Sequence, residues 1–293
     1  MFTPENLRKT LELFNEKIQI KKDYLSELDT PIGDGDHGNN MARGMDAVMA
    51  ADLSGDLPDI FKAAAMAMIS KVGGASGPLY GTAMMEMMKA SKESNEPEIL
   101  LRAAIAGIMK RGNSTVGEKT MLDLWGPAVD NLNNGTLNTA TLEILVEQTK
   151  NIKATKGRAS YVGERSIGHI DPGAMSSAYF FESMIEAGLK RLIGEVAKDV
   201  PITTAGGLED GGIGTSMERI SQAIEENTAD ELLAFYDLGS AKMNLEMAIE
   251  MTDKKVTLFD TAMVESAYTA CALLAADVGE EDIEQQLATL KVK

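Results

Sequence analysis

The sequence predicts a protein of two domains, an all-α part followed by an α/β part built on a parallel sheet, with the boundary near residue 190. Three observations lead there. At 293 residues the chain exceeds the usual span of one small domain. Apolar residues recur at helical spacing through the first part, then give way to short apolar runs alternating with helical stripes. The charge shifts at the same place, from a net of -5 over residues 1–190 to -12 over 191–293.

Thr3, Pro4 and Glu5 form a cap and first turn, and Leu7, Leu11, Phe14 and Ile18 continue it as one amphipathic helix. Further stripes lie at Phe61, Ala64, Ala65 and Met68, at Leu101, Ala104, Ile105 and Ile108, and at Trp125, Val129 and Leu132. Breaks such as G-G-A-S-G-P and N-N-G separate them. Most of the 19 methionines fall in this part, several in M-M-E-M-M at 84–88. Their flexible thioethers suit an irregular helical core better than a metal site. Beyond residue 190, P-I-T-T (201–204), L-L-A-F-Y-D (232–237) and V-T-L-F-D (256–260) read as strands. Met217, Ile220 and Ile224, and then Met243, Met247 and Met251, read as helical stripes between them.

A net charge of -17 with no basic run argues against nucleic-acid binding. The single cysteine, Cys271, allows no internal disulfide, and its setting T-A-C-A-L-L-A-A reads as buried helix. With no apolar signal core at the N-terminus and no long apolar run, the expectation is a cytoplasmic protein without a membrane segment.

The segment L-D-T-P-I-G-D-G-D-H-G-N-N, residues 28–40, concentrates chemistry. Asp29, Asp34 and Asp36 cannot share a helical face, but a glycine-punctuated turn can fold them toward one point, where their charges repel unless a cation lies between. Oxygen ligands favour Mg²⁺ or Ca²⁺. The EF-hand pattern fails, since Met45 or Asn40 stands where its twelfth-position glutamate belongs. Mg²⁺ shared with phosphate oxygens fits better. G-G-A-S-G-P at 73–78 can expose backbone N–H groups to phosphate at a helix entry. The stretch 155–174, rich in glycine and charge, reads as a functional loop. His37, beside the carboxylates, should favour its charged form and could donate to a phosphate. His169 either fixes its loop through Asp171 or contacts a ligand.

Together, D-T-P-I-G-D-G-D-H-G-N-N-M, G-G-A-S-G-P-L-Y-G, E-K-T-M-L-D and G-R-A-S-Y-V-G-E-R-S-I-G-H-I-D-P-G-A resemble the nucleotide-binding L subunit of dihydroxyacetone kinases, collinearly over residues 1–188. The resemblance implies an α-helical barrel carrying ADP and Mg²⁺. It places Mg²⁺ on Asp29, Asp34 and Asp36, and phosphates on His37, Gly38, Asn39 and Asn40 and on Ala75 and Ser76. Gly112 and Met121 would line the nucleotide pocket, with Arg158, Asp171, Pro172 and Gly173 closing over it. Arg158 and His37 are the candidates for helping the phosphoryl transfer. Phosphoryl transfer needs mainly positioning and charge stabilisation, so no protein nucleophile is expected.

The family has one branch with exchangeable ATP and a fused substrate domain. In the other, ADP stays bound and is rephosphorylated through the phosphoenolpyruvate phosphotransferase system. The chain begins with no substrate domain, which favours the second. Dihydroxyacetone would then be held by a partner K subunit. Residues 189–293, with R-L-I-G-E-V-A-K-D-V, A-G-G-L-E-D-G-G-I-G-T-S, D-L-G-S-A-K-M-N-L-E and T-A-M-V-E-S-A, resemble the M subunit, a mannose-type IIA phosphocarrier. The first strand and phosphohistidine of that fold are missing, so the expectation is a truncated α/β domain in which Asp237, Gly239 and Ser240 lack a nucleophile. A separate M-type phosphocarrier is therefore an expected partner. The unpaired sheet edge would favour pairing with another chain, a homodimer among the options. An exchanging ATP-dependent kinase and a regulatory module bound by a transcription regulator are the alternatives.

Overall fold

Capping chemistry starts the first helix where the sequence predicts it. Thr3 accepts from the Asn6 N–H, and the Asn6 side chain accepts from the Thr3 N–H, so two first-turn donors are satisfied reciprocally and α1 runs Pro4–Asp29. Its stripe of Leu7, Leu11, Phe14 and Ile18 is wholly buried. These features come from a computed structural model that describes residues 1–293 except 197–199, 207–214, 238 and 291–293; for 189–196, 239 and 240 only the backbone is described. It divides into two units, Met1–Ala187 and Gly188–Lys293. The division falls inside a helix rather than at a linker.

The first unit is helical throughout: α2 (His37–Met49), α3 (Leu57–Lys71), α4 (Ser76–Ala90), α5 (Pro97–Gly112), α6 (Leu122–Asn133), α7 (Thr139–Gln148) and the start of α8 (Pro172–Val196). Consecutive helices from α1 to α7 pack on one another. The core is aromatic at its centre. The Trp125 ring stacks on Phe180 at 5.5 Å, with Phe181 edge-on to it at 5.1 Å and Phe14 edge-on to Phe180 at 5.6 Å, tying α1, α6 and α8 together. Ile105 and Leu132 are half-buried, at the margins of their stripes. Close approach of α2 to α1 depends on Gly38, where an added Cβ would lie 1.7 Å from the Lys22 carbonyl oxygen.

The second unit holds α9 (Met217–Glu226), β1 (Glu231–Phe235), α10 (Gly239–Glu250), β2 (Lys255–Phe259), α11 (Met263–Ala275) and α12 (Glu280–Leu287). The strands pair in parallel, Glu231 with Lys255 through Phe235 with Phe259, so α10 is a crossover helix. Cys271 is buried in α11.

Two expectations are corrected here. Residues 201–204 form no strand. Pro201 has no N–H to give a ladder, Ile202 packs on Ala267 and Cys271 as Phe235 does, and Asn227 Nδ2 donates to the Pro201 carbonyl at 3.3 Å and Thr203 Oγ1 at 3.2 Å. In α10 the buried stripe is Ala241, Leu245 and Ala248, of which Leu245 and Ala248 pack with Ile220 and Ile224 of α9. Met243, Met247 and Met251 face solvent at 66%, 46% and 73% exposure, because a second apolar stripe on the same helix takes the core side. Among the family-derived positions in this unit, Asp237 is exposed, while the side chains of Gly239 and Ser240 lie outside the described residues.

Candidate functional site

Helix ends create the site. Asp29 closes α1 and Asp36 precedes α2, and the tight loop between is tied by the Asp36 N–H donating to Asp29 Oδ2 at 3.1 Å. This brings carboxylate oxygens of Asp29, Asp34 and Asp36 within 4.8 Å of one another. Such an arrangement costs Coulomb energy alone and suits a hard divalent cation. Arg158 also reaches this cluster, pairing with Asp34.

The carboxylates border an open cleft lined also by His37, Asn40, Gly73, Gly74, Ala75, Ser76, Leu79, Tyr80, Lys119, Thr120, Met121, Asp171, Pro172 and Gly173. Lys156 to Ala159 contribute a further wall, from the start of the 155–174 stretch. That stretch contains a 3₁₀ segment, Arg158–Ser166, broken at Gly163. Two helix N-termini open onto the cleft, α2 after Asp36 and α4 after Ala75, and neither first turn is capped by a side chain. Their N–H groups and dipoles provide an anion site. Gly74, at φ 62, makes the turn that leads into α4.

Of the residues expected at the site, Gly38, Asn39 and Gly112 do not line the cleft. Gly38 is buried against α1, Asn39 is exposed, and Gly112 sits behind Leu79, whose Cδ2 an added Cβ would meet at 3.4 Å. The others all border it. Arg43 Nη2 donates to Asn40 Oδ1 at 2.5 Å, which leaves the amide nitrogen as the Asn40 donor.

His37 needs a correction. The ring is buried, and both nitrogens are engaged: Nε2 is 2.9 Å from Ser176 Oγ and Nδ1 is 3.1 Å from Ser76 Oγ. Burial pushes its pKa down to about 4, against the upward pull of Asp29 and Asp36. The charged form expected from the sequence is therefore not the favoured one. Loss of water outweighs the nearby carboxylates, and a neutral ring with one donor and one acceptor links two serines.

Behind His37 lies a network that sequence reading missed. Tyr80 OH is 2.8 Å from both Ser176 Oγ and Ser177 Oγ, and Trp125 Nε1 donates to Ser177 Oγ at 2.8 Å. Burial raises the Tyr80 phenol well above its ordinary pKa. Lys119 was missed as well. It is 1% exposed, and its ammonium donates to the carbonyls of Thr149 (2.7 Å) and His169 (2.5 Å). Its neighbour Asp123 accepts from the N–H groups of Gly117 and Thr120. Both residues stand in E-K-T-M-L-D, the motif that pointed to Met121. Asp171 caps α8 by accepting from the Ala174 N–H at 2.7 Å, while burial raises its pKa to about 7.

The family model described as the DAK2 domain matches residues 31–186, more than half of the chain. The chain belongs to the DAK2 family. A second model, the PTS system fructose IIA component, matches residues 183–284. The Lactococcus lactis PTS-dependent dihydroxyacetone kinase ADP-binding subunit DhaL is 52% identical over 189 residues, 64% of this chain and 98% of the relative. The phosphotransferase subunit DhaM of the same organism is 54% identical over 109 residues, 37% of this chain and 89% of the relative. This DAK2 protein thus joins an L-type part to an M-type part. A crystal structure of the C. freundii dihydroxyacetone kinase in complex with AMP-PNP and Mg²⁺ shares the fold, with a TM-score of 0.50 and 21% identity. The match covers 61% of this chain and 33% of that one.

Proposed function

We propose that this chain carries Mg-ADP in the cleft of its first unit as a bound coenzyme. It passes the phosphoryl group to dihydroxyacetone held on a partner K subunit, giving dihydroxyacetone phosphate. The observation that carries this reading is the convergence of three carboxylates with two uncapped helix N-termini on one cleft. The donor set fits the coenzyme: hard oxygens for the metal, and backbone N–H groups with the hydroxyl of Ser76 and the amide nitrogen of Asn40 for phosphate oxygens. When bound, Mg-ADP supplies the group that accepts the phosphoryl moiety and gives it up.

The chain's own residues position and neutralise. Asp29, Asp34 and Asp36 would hold the metal, and Arg158, released from Asp34, is a cation at the cleft mouth. Neutral His37 holds Ser76 against the Ser176 hydroxyl, so the α4 entry keeps its place. The helices of this unit would close as a barrel around the aromatic cluster of Phe14, Trp125, Phe180 and Phe181.

The second unit would not act as the phosphocarrier. The only two histidines are His37 and His169, both in the first unit. Rephosphorylation would therefore need a separate M-type subunit. Asp34→Asn tests the metal assignment: ADP retention in the presence of Mg²⁺ should weaken at least about tenfold, since even indirect partners of a metal ligand cost that much. Unchanged retention would count against Asp34 as a ligand.

A further inference from the structure

Lys119 stands where a surface lysine would be unremarkable in sequence, yet its side chain is buried. It holds a left-handed backbone, φ 59, a conformation that costs a side-chain-bearing residue and persists only when surroundings enforce it. Asp123 enforces it, gathering the N–H groups on either side, from Gly117 at 2.5 Å and from Thr120 at 2.7 Å. The turn thus aims one ammonium at two carbonyls thirty and fifty residues away, those of Thr149 and His169. Burial disfavours its charge and lowers its pKa, with Asp171 and Asp123 pulling the other way.

The two carbonyls belong to segments already joined on either side of the ammonium. The Gly168 N–H donates to the Lys150 carbonyl at 2.8 Å, and the Asp171 N–H donates to Thr149 Oγ1 at 3.0 Å. Lys119 is the cross-link between these strands of chain, and the segment it fixes runs directly into Asp171, Pro172 and Gly173 on the cleft wall. Removing the cation takes this donor from the His169 carbonyl, while the Thr149 carbonyl keeps the Ile152 N–H at 3.2 Å.

We infer that Lys119 is a positioning residue for nucleotide retention: by bracketing the Thr149 and His169 carbonyls, it holds segment 168–173 in the arrangement that closes one wall of the cleft. This inference rests on the proposed Mg-ADP coenzyme. The experiment follows release of labelled ADP from the full-length protein, in Mg²⁺ with excess unlabelled ADP, for wild type, Lys119→Met and Lys119→Arg. Amide exchange at 168–171 and thermal midpoints with and without ADP are measured on the same samples. The expected result is release faster by about tenfold to a hundredfold in Lys119→Met. Amide exchange should quicken at 168–171, and the ADP-dependent rise in midpoint should shrink, with partial recovery in Lys119→Arg. If release is unchanged while both midpoints fall equally, Lys119 only stabilises the fold and the inference is overturned. If wild type retains no ADP, the coenzyme reading fails and takes the inference with it. Should Lys119→Met not fold, Lys119→Gln is read by the same outcomes.

Discussion

At the scale of single residues, the cleft sets charged and neutral groups by a contest between burial and neighbours. Asp171 illustrates it. Burial raises its pKa to about 7, with the Ala174 N–H and Lys119 pulling the other way and Asp123 and Asp29 adding to the rise. An acid whose pKa is raised by folding contributes its full stability below the ordinary carboxylate range and loses it as pH climbs through the folded value. In the nucleotide-free protein, Asp171→Asn should therefore gain stability relative to wild type between about pH 4 and 7, by on the order of 2–4 kcal/mol. Urea midpoints at pH 5 and pH 8 check this; two proteins changing in parallel would show that Asp171 does not titrate in this window. The convergence of Asp29, Asp34 and Asp36 was legible in the sequence because glycines and a proline confined them to one short stretch. The neutral state of His37 was not. Its carboxylate neighbours lie within eight positions of it, whereas Ser176, which buries and engages its ring, lies 139 residues on. Lys119 escaped for the same reason, since its acceptors become neighbours only through the fold.

At the scale of elements, the site is built by how helices end and how closely they approach. Much of the first unit could be read from period and punctuation, because helices such as α1 have a capping box and a clear stripe, Leu7, Leu11, Phe14 and Ile18. Reading failed where one helix offered two stripes, as in α10, or where an apolar run such as P-I-T-T lacked a partner to make it a strand. Gly38 belongs here: its value lies in helix contact rather than in touching a ligand. Gly38→Ala places a methyl against the Lys22 carbonyl, and α2 must move away from α1. The expected cost is roughly 1–3 kcal/mol. Because Asp36 leads α2 and Asp29 ends α1, the same shift should weaken Mg²⁺-dependent ADP retention. Unfolding in urea together with ADP retention measures both. A variant as stable as wild type with retention intact would show that the helices do not need this contact.

At the scale of the whole molecule, an L-type helical unit and an M-type unit lie on one chain, and the M-type unit has no histidine. Among the described residues no helix is long and apolar enough to cross a membrane. The strongly acidic second unit was visible in the sequence as a change of charge, and the parallel pair β1 and β2 as two of the three short runs read as strands. Its lack of a histidine was visible too, because histidines can be counted. On the proposed reading the phosphoryl group is carried by the nucleotide in the cleft of the first unit and not by a histidine of the second. The most direct measurement is to purify the protein without added nucleotide, dialyse it extensively, denature it, and identify and count what is released by ion-exchange chromatography. Stoichiometric ADP is the predicted result. A protein that releases none, and takes up neither ADP nor ATP when supplied with Mg²⁺, would contradict the coenzyme role.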